Sequence, residues 1–361
     1  MYRIGGSSLG QAIQPAIFDG HNDVLLKLYR AGGASAVQGF VEGNAGAIDV
    51  PAAQAGGFAG GLFAVFVPSP MDLDEKFTEM TKDAYDLPLP DPIDWEDAFP
   101  IVMSQAAILF ELEEQGALTI CRSAAELRAC LDAGKLAAVF HIEGAEAIDP
   151  DLNTLDVLYQ AGLRSIGPVW SRKTIFGHGV PFRYPSTPDT GAGLTDHGLR
   201  LVKRCNVLGI MVDLSHLNEA GFWDVARHSA KPLVATHSNV HAICPHTRNL
   251  TDKQLAAIAE SDGMVGLNFA VAFLRADGKM LPEVPLEQMI RHLDHLIETL
   301  GEDRVGFGSD YDGAIVPEPL QSCAGLPKLR AAMRQHGYDD ALMTKLCHGN
   351  WLRVLEKTWG Q

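Results

Sequence analysis

The sequence predicts a single α/β domain, a (β/α)8 barrel of the TIM type spanning 1–361. Three observations predict it. Eight short apolar runs follow one another, and amphipathic or otherwise helix-like segments separate most of them, the alternation expected of a parallel strand–helix repeat. The length, 361 residues with 47% hydrophobic content, exceeds the roughly 250 residues that a barrel needs, and no Pro/Gly/Ser-rich linker divides it. A doubly wound sheet would want a glycine-rich phosphate turn after its first strand, and the chain has neither G-x-G-x-x-G there nor a Walker loop anywhere.

The elements run in order as follows. An apolar run at 16–18 is the first strand, and it leads into Asp19-Gly20-His21-Asn22-Asp23. A short Ala/Gly-rich helix is expected over 49–59, and 61–67 is the second strand, stopped by Pro68 and Pro70. An excursion over 69–92, rich in Pro and Asp, is long enough to be a lid, an arm or a disordered loop. Apolar residues at helical spacing place helices over 94–115 and 124–133. The third strand, 136–143, ends in His141-Ile142-Glu143 before Gly144. A helix over 152–161 and a fourth strand over 164–170 follow, then a second excursion, 171–194, with Pro181, Pro185 and Pro188. Further helices are expected over 195–207, from 217 to about 228, over 251–260 with Thr251 as N-cap, over 285–300 and across 326–357. Strands five to eight fall at 209–214, 232–236, 263–269 and 304–309.

The residues able to bind metal or move protons sit where these strands end. His21 and Asp23 follow strand one, Glu143 ends strand three, and His216, His237 and Asp310 follow strands five, six and eight. A barrel gathers all its strand ends on the face where such folds place their chemistry. His21 and Asp23, two apart, can face one ion together. Imidazole and carboxylate suit zinc or a similar divalent ion. With one carboxylate as bridge, the set can hold two ions about 3.5–4 Å apart. Asp310, left uncoordinated, can carry a proton to a leaving amine. Each residue has a plainer reading: a hydrogen-bonded core histidine, a buried ion-pair partner, or a turn aspartate before Asp312-Gly313. All of these would have to hold together to dispense with the metal site. His141 and Glu146 compete with Glu143, and strand alternation puts His141 on the same face. His178, His241 and His246 are loop candidates without a supporting partner.

The net charge of −16 argues against a nucleic-acid partner, since phosphate binding needs a basic surface. No apolar run is long enough to span a bilayer, and the polar N-terminus has no apolar signal core. The six cysteines form no Cys-x-x-Cys, as expected of reduced thiols in the cytoplasm.

Six pieces of the chain resemble the membrane (renal) dipeptidase family, the M19 metallopeptidases. These are Asp19-Gly20-His21-Asn22-Asp23, His141-Ile142-Glu143-Gly144, Asp213-Leu214-Ser215-His216, Thr236-His237-Ser238, Arg248-Asn249 and the stretch from Gly306 to Gly313. They occur in family order across nearly the whole chain, and Gly349-Asn350-Trp351 also looks familial. The resemblance implies a barrel of metal-dependent hydrolase type with two Zn2+. His21 and Asp23 would bind one ion, His216 and His237 the other, with Glu143 bridging. Asp310 would shuttle a proton from the bridging water to the leaving amine, and Arg248 would bind the substrate's terminal carboxylate. Mammalian members carry a carbonyl-contacting histidine after the fourth strand, where this chain has Trp170. His178 and Arg172 are the candidates to replace it. The family's secreted members carry a signal and a lipid anchor, neither of which is visible here.

The expectation is a cytoplasmic zinc dipeptidase that cleaves dipeptides, including L-Xaa-D-Xaa, without nucleic-acid or membrane partners; the family makes a homodimer plausible. Its rivals are a dinuclear hydrolase of another small amide or lactam on the same barrel, and a non-catalytic metal-binding relative.

Overall fold

The computed structural model describes residues 14–69 and 78–360. Residues 70–77 of the first excursion, including Pro70, lie outside the described residues, as does the stretch before residue 14. The eight expected strands are all present and parallel: β1 (Ile17–Asn22), β2 (Phe58–Phe66), β3 (Ala137–Glu143), β4 (Leu163–Gly167), β5 (Met211–Val212), β6 (Val234–Ala235), β7 (Met264–Asn268) and β8 (Val305–Gly308). They are hydrogen-bonded in the order β5-β4-β3-β2-β1-β8-β7-β6. A parallel bridge between Asp213 and Val234 joins the two ends and closes the barrel.

Two features depart from the expectation. β1 runs on through Asn22 because its partners continue beside it, Phe18 opposite Gly60 and Asn22 opposite Phe63. β5 and β6 shrink to two residues each because the Asp213 carboxylate replaces ladder bonds between them. Its Oδ1 accepts from Ser215 N at 3.1 Å and Thr236 N at 2.9 Å. Sequence periodicity had also left 24–42 unassigned; it holds α1 (Val24–Arg30) and a second short helix, Val37–Glu42. Thr251 caps Asp252–Glu260 with a reciprocal capping box to Gln254.

Inside the barrel the lower layer is apolar. Phe18, Val139, Met211, Val234 and Met264 meet Trp351, Val354 and Leu355 of the helix Asn350–Trp359. That helix lies across the bottom opening. Trp351 donates from Nε1 to Phe307 O at 3.0 Å, and its ring occupies the space where a Cβ on Gly20 would go. Glycine at position 20 is therefore needed for the plug to seat.

Above the barrel the two excursions meet. Tyr85–Leu87 pairs antiparallel with Phe182–Tyr184, and Arg183 Nε reaches Asp86 Oδ1 at 2.8 Å. This small sheet packs on Val271, Phe273 and Met280 and forms one side of the cleft over the strand ends. All six cysteines are buried and unpaired. Among the described residues no helix is long and apolar enough to cross a membrane.

Candidate metal centre

Glu143, the last residue of β3, stands at the middle of the site. Its Oε1 lies 2.9 Å from His216 Nε2, 3.3 Å from His237 Nε2 and 3.7 Å from His21 Nε2. Asp23 Oδ2 lies 3.4 Å from His21 Nε2. The rings of His21 and His237 stack with centroids 3.8 Å apart. Zinc binds nitrogen and oxygen at about 2.0–2.2 Å, which puts neighbouring donors on a tetrahedral ion roughly 3.3 Å apart. These separations bracket that figure.

The hydrogen bonds show which imidazole atoms are free. Thr236 Oγ1 donates to Asp213 Oδ2 at 2.6 Å, so toward His237 Nδ1, 2.8 Å away, it acts as acceptor. His237 is thereby held as the Nδ1–H tautomer, with its Nε2 lone pair pointing inward. His216 Nδ1 meets Ser171 Oγ at 2.9 Å in the same way. The two Nε2 atoms then face each other at 3.1 Å. Two lone pairs at that distance repel unless a cation lies between or beside them. Among the described residues His21 has no hydrogen-bond partner on either ring nitrogen, although it is fully buried. Orphaned nitrogens beside two carboxylates are what a metal cluster leaves when its ions are removed, and the donor set fits divalent metal.

Electrostatics agree. Burial, and then the positive charges of Arg248 and His21, push His216 well below the usual imidazole range; burial and then His21 do the same to His237. Both are held neutral, the form in which imidazole can bind a metal. Burial opposes charge on His21, but Glu143, Asp23 and Asp310 outweigh it and lift His21 to about 10. Burial likewise raises Glu143 and Asp310. Burial thus resists ionisation of these carboxylates, and a bound divalent cation would favour their charged forms.

Asp310 sits two residues past β8 with a left-handed φ of 59°. Its backbone N–H donates to His21 O at 3.0 Å. Asn268 Nδ2 donates to Asp310 Oδ2 at 2.9 Å, so Oδ1 is left for a proton. A Cβ on Gly313 would strike Asp23 Oδ2, so only glycine lets this turn close over the metal ligands.

The strand-end logic therefore brings His21, Asp23, Glu143, His216, His237 and Asp310 together. Trp170 joins them in the cleft wall, its ring 5.9 Å from His216 and 5.0 Å from Phe66. The cleft encloses about 830 Å³. The alternatives separate cleanly. His141 lies one layer below Glu143, bonded to Ser165 Oγ at 2.8 Å, and burial drives it down to about 3. Glu146 is the buried partner of Arg172, at 2.7 Å. Arg172 is saturated by Glu146, Ser69 and Val67 and offers a substrate nothing. His178 bonds Gly193 O through Nδ1 at 3.1 Å and lies outside the cleft wall. His241 bonds Ser186 O, and His246 is buried against Phe273. Arg248 lies buried beneath the ligands, donating to Ser215 O and, at 3.0 Å, to His237 O; its Nε has no partner among the described residues.

Sequence reading missed Asn268, Ser171 and the role of Thr236. Each orients a site residue through one hydrogen bond, and no pattern marks such a residue in a chain. Thr236 was visible only as the residue preceding His237.

A family model, membrane dipeptidase (peptidase family M19), matches residues 12–359. A metallopeptidase from Rhodobacter sphaeroides, solved with a phosphinate mimic of the dipeptide L-Ala-D-Ala, superposes with a TM-score of 0.94 at 53% identity, covering 96% of this chain and 100% of that one. A dipeptidase of the same metallopeptidase family gives 0.93 at 53%, covering 96% and 99%. The probable dipeptidase PvdM from Pseudomonas aeruginosa shares the fold, with a TM-score of 0.78 at 21% identity over 96% of each chain. An uncharacterized protein in the pqqA 5′ region of Klebsiella pneumoniae is 49% identical over 273 residues, 75% of this chain and 98% of that protein. With a family model matched over nearly its whole length, this chain belongs to peptidase family M19, the membrane dipeptidases.

Proposed function

We propose that the protein is a zinc-dependent dipeptidase that accepts L-Xaa-D-Xaa substrates. His21 and Asp23 would hold one ion and His216 and His237 a second, with Glu143 between them. Bound divalent ions would supply Lewis acidity and water activated at neutral pH. The chain's own residues do the rest. Asp310, steadied by Asn268, takes a proton on Oδ1 and delivers it to the leaving amine, which cannot depart as an anion. Arg248, charged and buried under the ligands, is the assigned partner of the substrate's terminal carboxylate through its unpaired Nε. Trp170 and Phe66 exclude water and pack the substrate side chain.

The observation that carries this reading is the convergence of three imidazole nitrogens on one carboxylate oxygen within 3.7 Å. The phosphinate mimic bound by the R. sphaeroides relative supports the choice of a D-residue at the C-terminus. The test is metal content by mass spectrometry beside hydrolysis of L-Ala-D-Ala and L-Ala-L-Ala. The expected result is about two metals per chain, with cleavage lost on chelation and restored by zinc. Full-rate cleavage by metal-stripped protein, or folded protein that takes up no divalent metal, would overturn it.

A further inference from the structure

Among the described residues the cleft wall has one arginine, Arg30, and nothing in the mechanism above uses it. Asp23, Leu26 and Arg30 all line the cleft. Their spacing of three and four residues puts them on one face of α1, so this helix forms a wall that begins at a metal ligand and ends at a guanidinium. At 1.5 Å per residue, Arg30 stands about 10 Å beyond Asp23 along the helix. Helical side chains lean toward the N-terminus, so the guanidinium leans back toward the metal end, across the length of a dipeptide.

Arg30 is exposed and has no hydrogen-bond or ion-pair partner among the described residues. The other charged groups in the wall are carboxylates: Asp23, Glu143, Asp310 and Asp312. Asp312, whose carboxylate accepts from Ala47 N at 2.9 Å, forms no ion pair with Arg30 among the described residues. The chain's net charge of −16 repels an anionic substrate from the surface as a whole. A lone cation at the mouth of an otherwise acidic and apolar cleft is therefore a selective feature. From this geometry we infer that Arg30 is a specificity-determining residue that pairs with a carboxylate of the substrate at the outer end of the cleft. The inference rests on the peptidase reading for what the substrate is, but not for the binding itself.

The terminal α-carboxylate is assigned to Arg248, so the carboxylate left for Arg30 is that of an acidic substrate side chain. The plain alternative is an arginine that merely complements the C-terminal end of the α1 dipole, which would be indifferent to the substrate. The experiment compares wild type, Arg30→Ala and Arg30→Lys on L-Ala-D-Ala, L-Ala-D-Glu and L-Glu-D-Ala. Loss of a charge-assisted pair predicts a KM about 10- to 100-fold higher in Arg30→Ala, with kcat nearly unchanged and partial rescue by lysine. A loss confined to a glutamate-containing dipeptide is the expected result, and an equal loss on all three substrates would overturn the assignment to a side chain. A change under about twofold on all three overturns the inference, as does a fall in kcat that lysine does not rescue. Glutarate binding, followed by tryptophan fluorescence, needs no turnover. If no dipeptide is cleaved yet glutarate binds wild type more tightly than Arg30→Ala, the peptidase reading fails and the role of Arg30 stands. Equal affinities sink the role itself.

Discussion

Arg172→Met tests what holds the cleft wall in place. The Arg172 guanidinium is fully buried and donates to Glu146 Oε1 at 2.9 and 2.7 Å, to Ser69 Oγ at 2.7 Å and to Val67 O at 2.9 Å. It also lies 5.6 Å from the Trp170 ring centroid and 5.9 Å from that of Phe66. One side chain thus ties the chain leaving β2 to the chain leaving β4. Removing it strands Glu146, whose Oε2 already lacks a partner. Breaking a buried pair from one side costs about 3–5 kcal/mol. Unfolding entropy of about 2.1 cal/mol/K per residue gives a chain of 361 residues roughly 0.76 kcal/mol/K. The substitution should therefore lower Tm by about 4–7 °C in a reversible calorimetric scan. Glu146→Leu added to Arg172→Met should restore most of this, because the penalty lies in the orphaned carboxylate and not in the lost bonds. A double variant as unstable as the single one would refute that account.

Three further outcomes are expected. Asp310→Asn should retain metal and KM while kcat falls by about 10²–10⁴, read by steady-state kinetics beside metal analysis. Thr236→Val removes the acceptor that fixes the His237 tautomer and should weaken metal affinity by about 10- to 100-fold in a competition titration with a chelator. His292 is buried between Val240 N, which donates to its Nδ1, and Leu274 O, which accepts from Nε2, and burial pushes it down to about 4. Its folded pKa is depressed, so the unfolded chain binds the extra proton. The stability tied to its neutral form is complete above the unfolded value of about 6.5 and is lost as pH falls toward 4, about 3 kcal/mol in all. Denaturant midpoints between pH 7 and 4 should fall less steeply in His292→Gln than in wild type.

The barrel was legible because its signals are local. Each strand is an apolar run long enough to be read alone, and the metal ligands stand at the ends of those runs. β1 was cut short because Gly20, His21 and Asn22 look like a turn, whereas here they line the inside of a sheet whose centre must hold polar groups. α1 was missed because its seven residues are too few to show a helical period and no side chain caps its start. Arg172 and His178 turn to Glu146 and to Gly193 O, since proximity to Trp170 in the chain says nothing of which side a loop presents. The clasp between Tyr85–Leu87 and Phe182–Tyr184 joins segments about a hundred residues apart, and three-residue strands carry no period to detect. Arg30 carries no mark in the sequence, and only the cleft shows where it stands.

The plug at the bottom of the barrel sets an order of events during synthesis. Phe18 lies against Trp351, with ring centroids 6.4 Å apart, so the first strand made is covered by a helix made more than 300 residues later. Until that helix arrives, the lower apolar layer is open to water at one end, and Gly20 leaves an empty notch. An emerging chain can align its strands and helices early, but it must wait for residues near 350 before the barrel floor is dry. At about 5–20 residues per second, that interval lasts from about 15 seconds to about a minute. It is the period in which the nascent barrel most needs protection from aggregation, whatever the stability of the finished molecule.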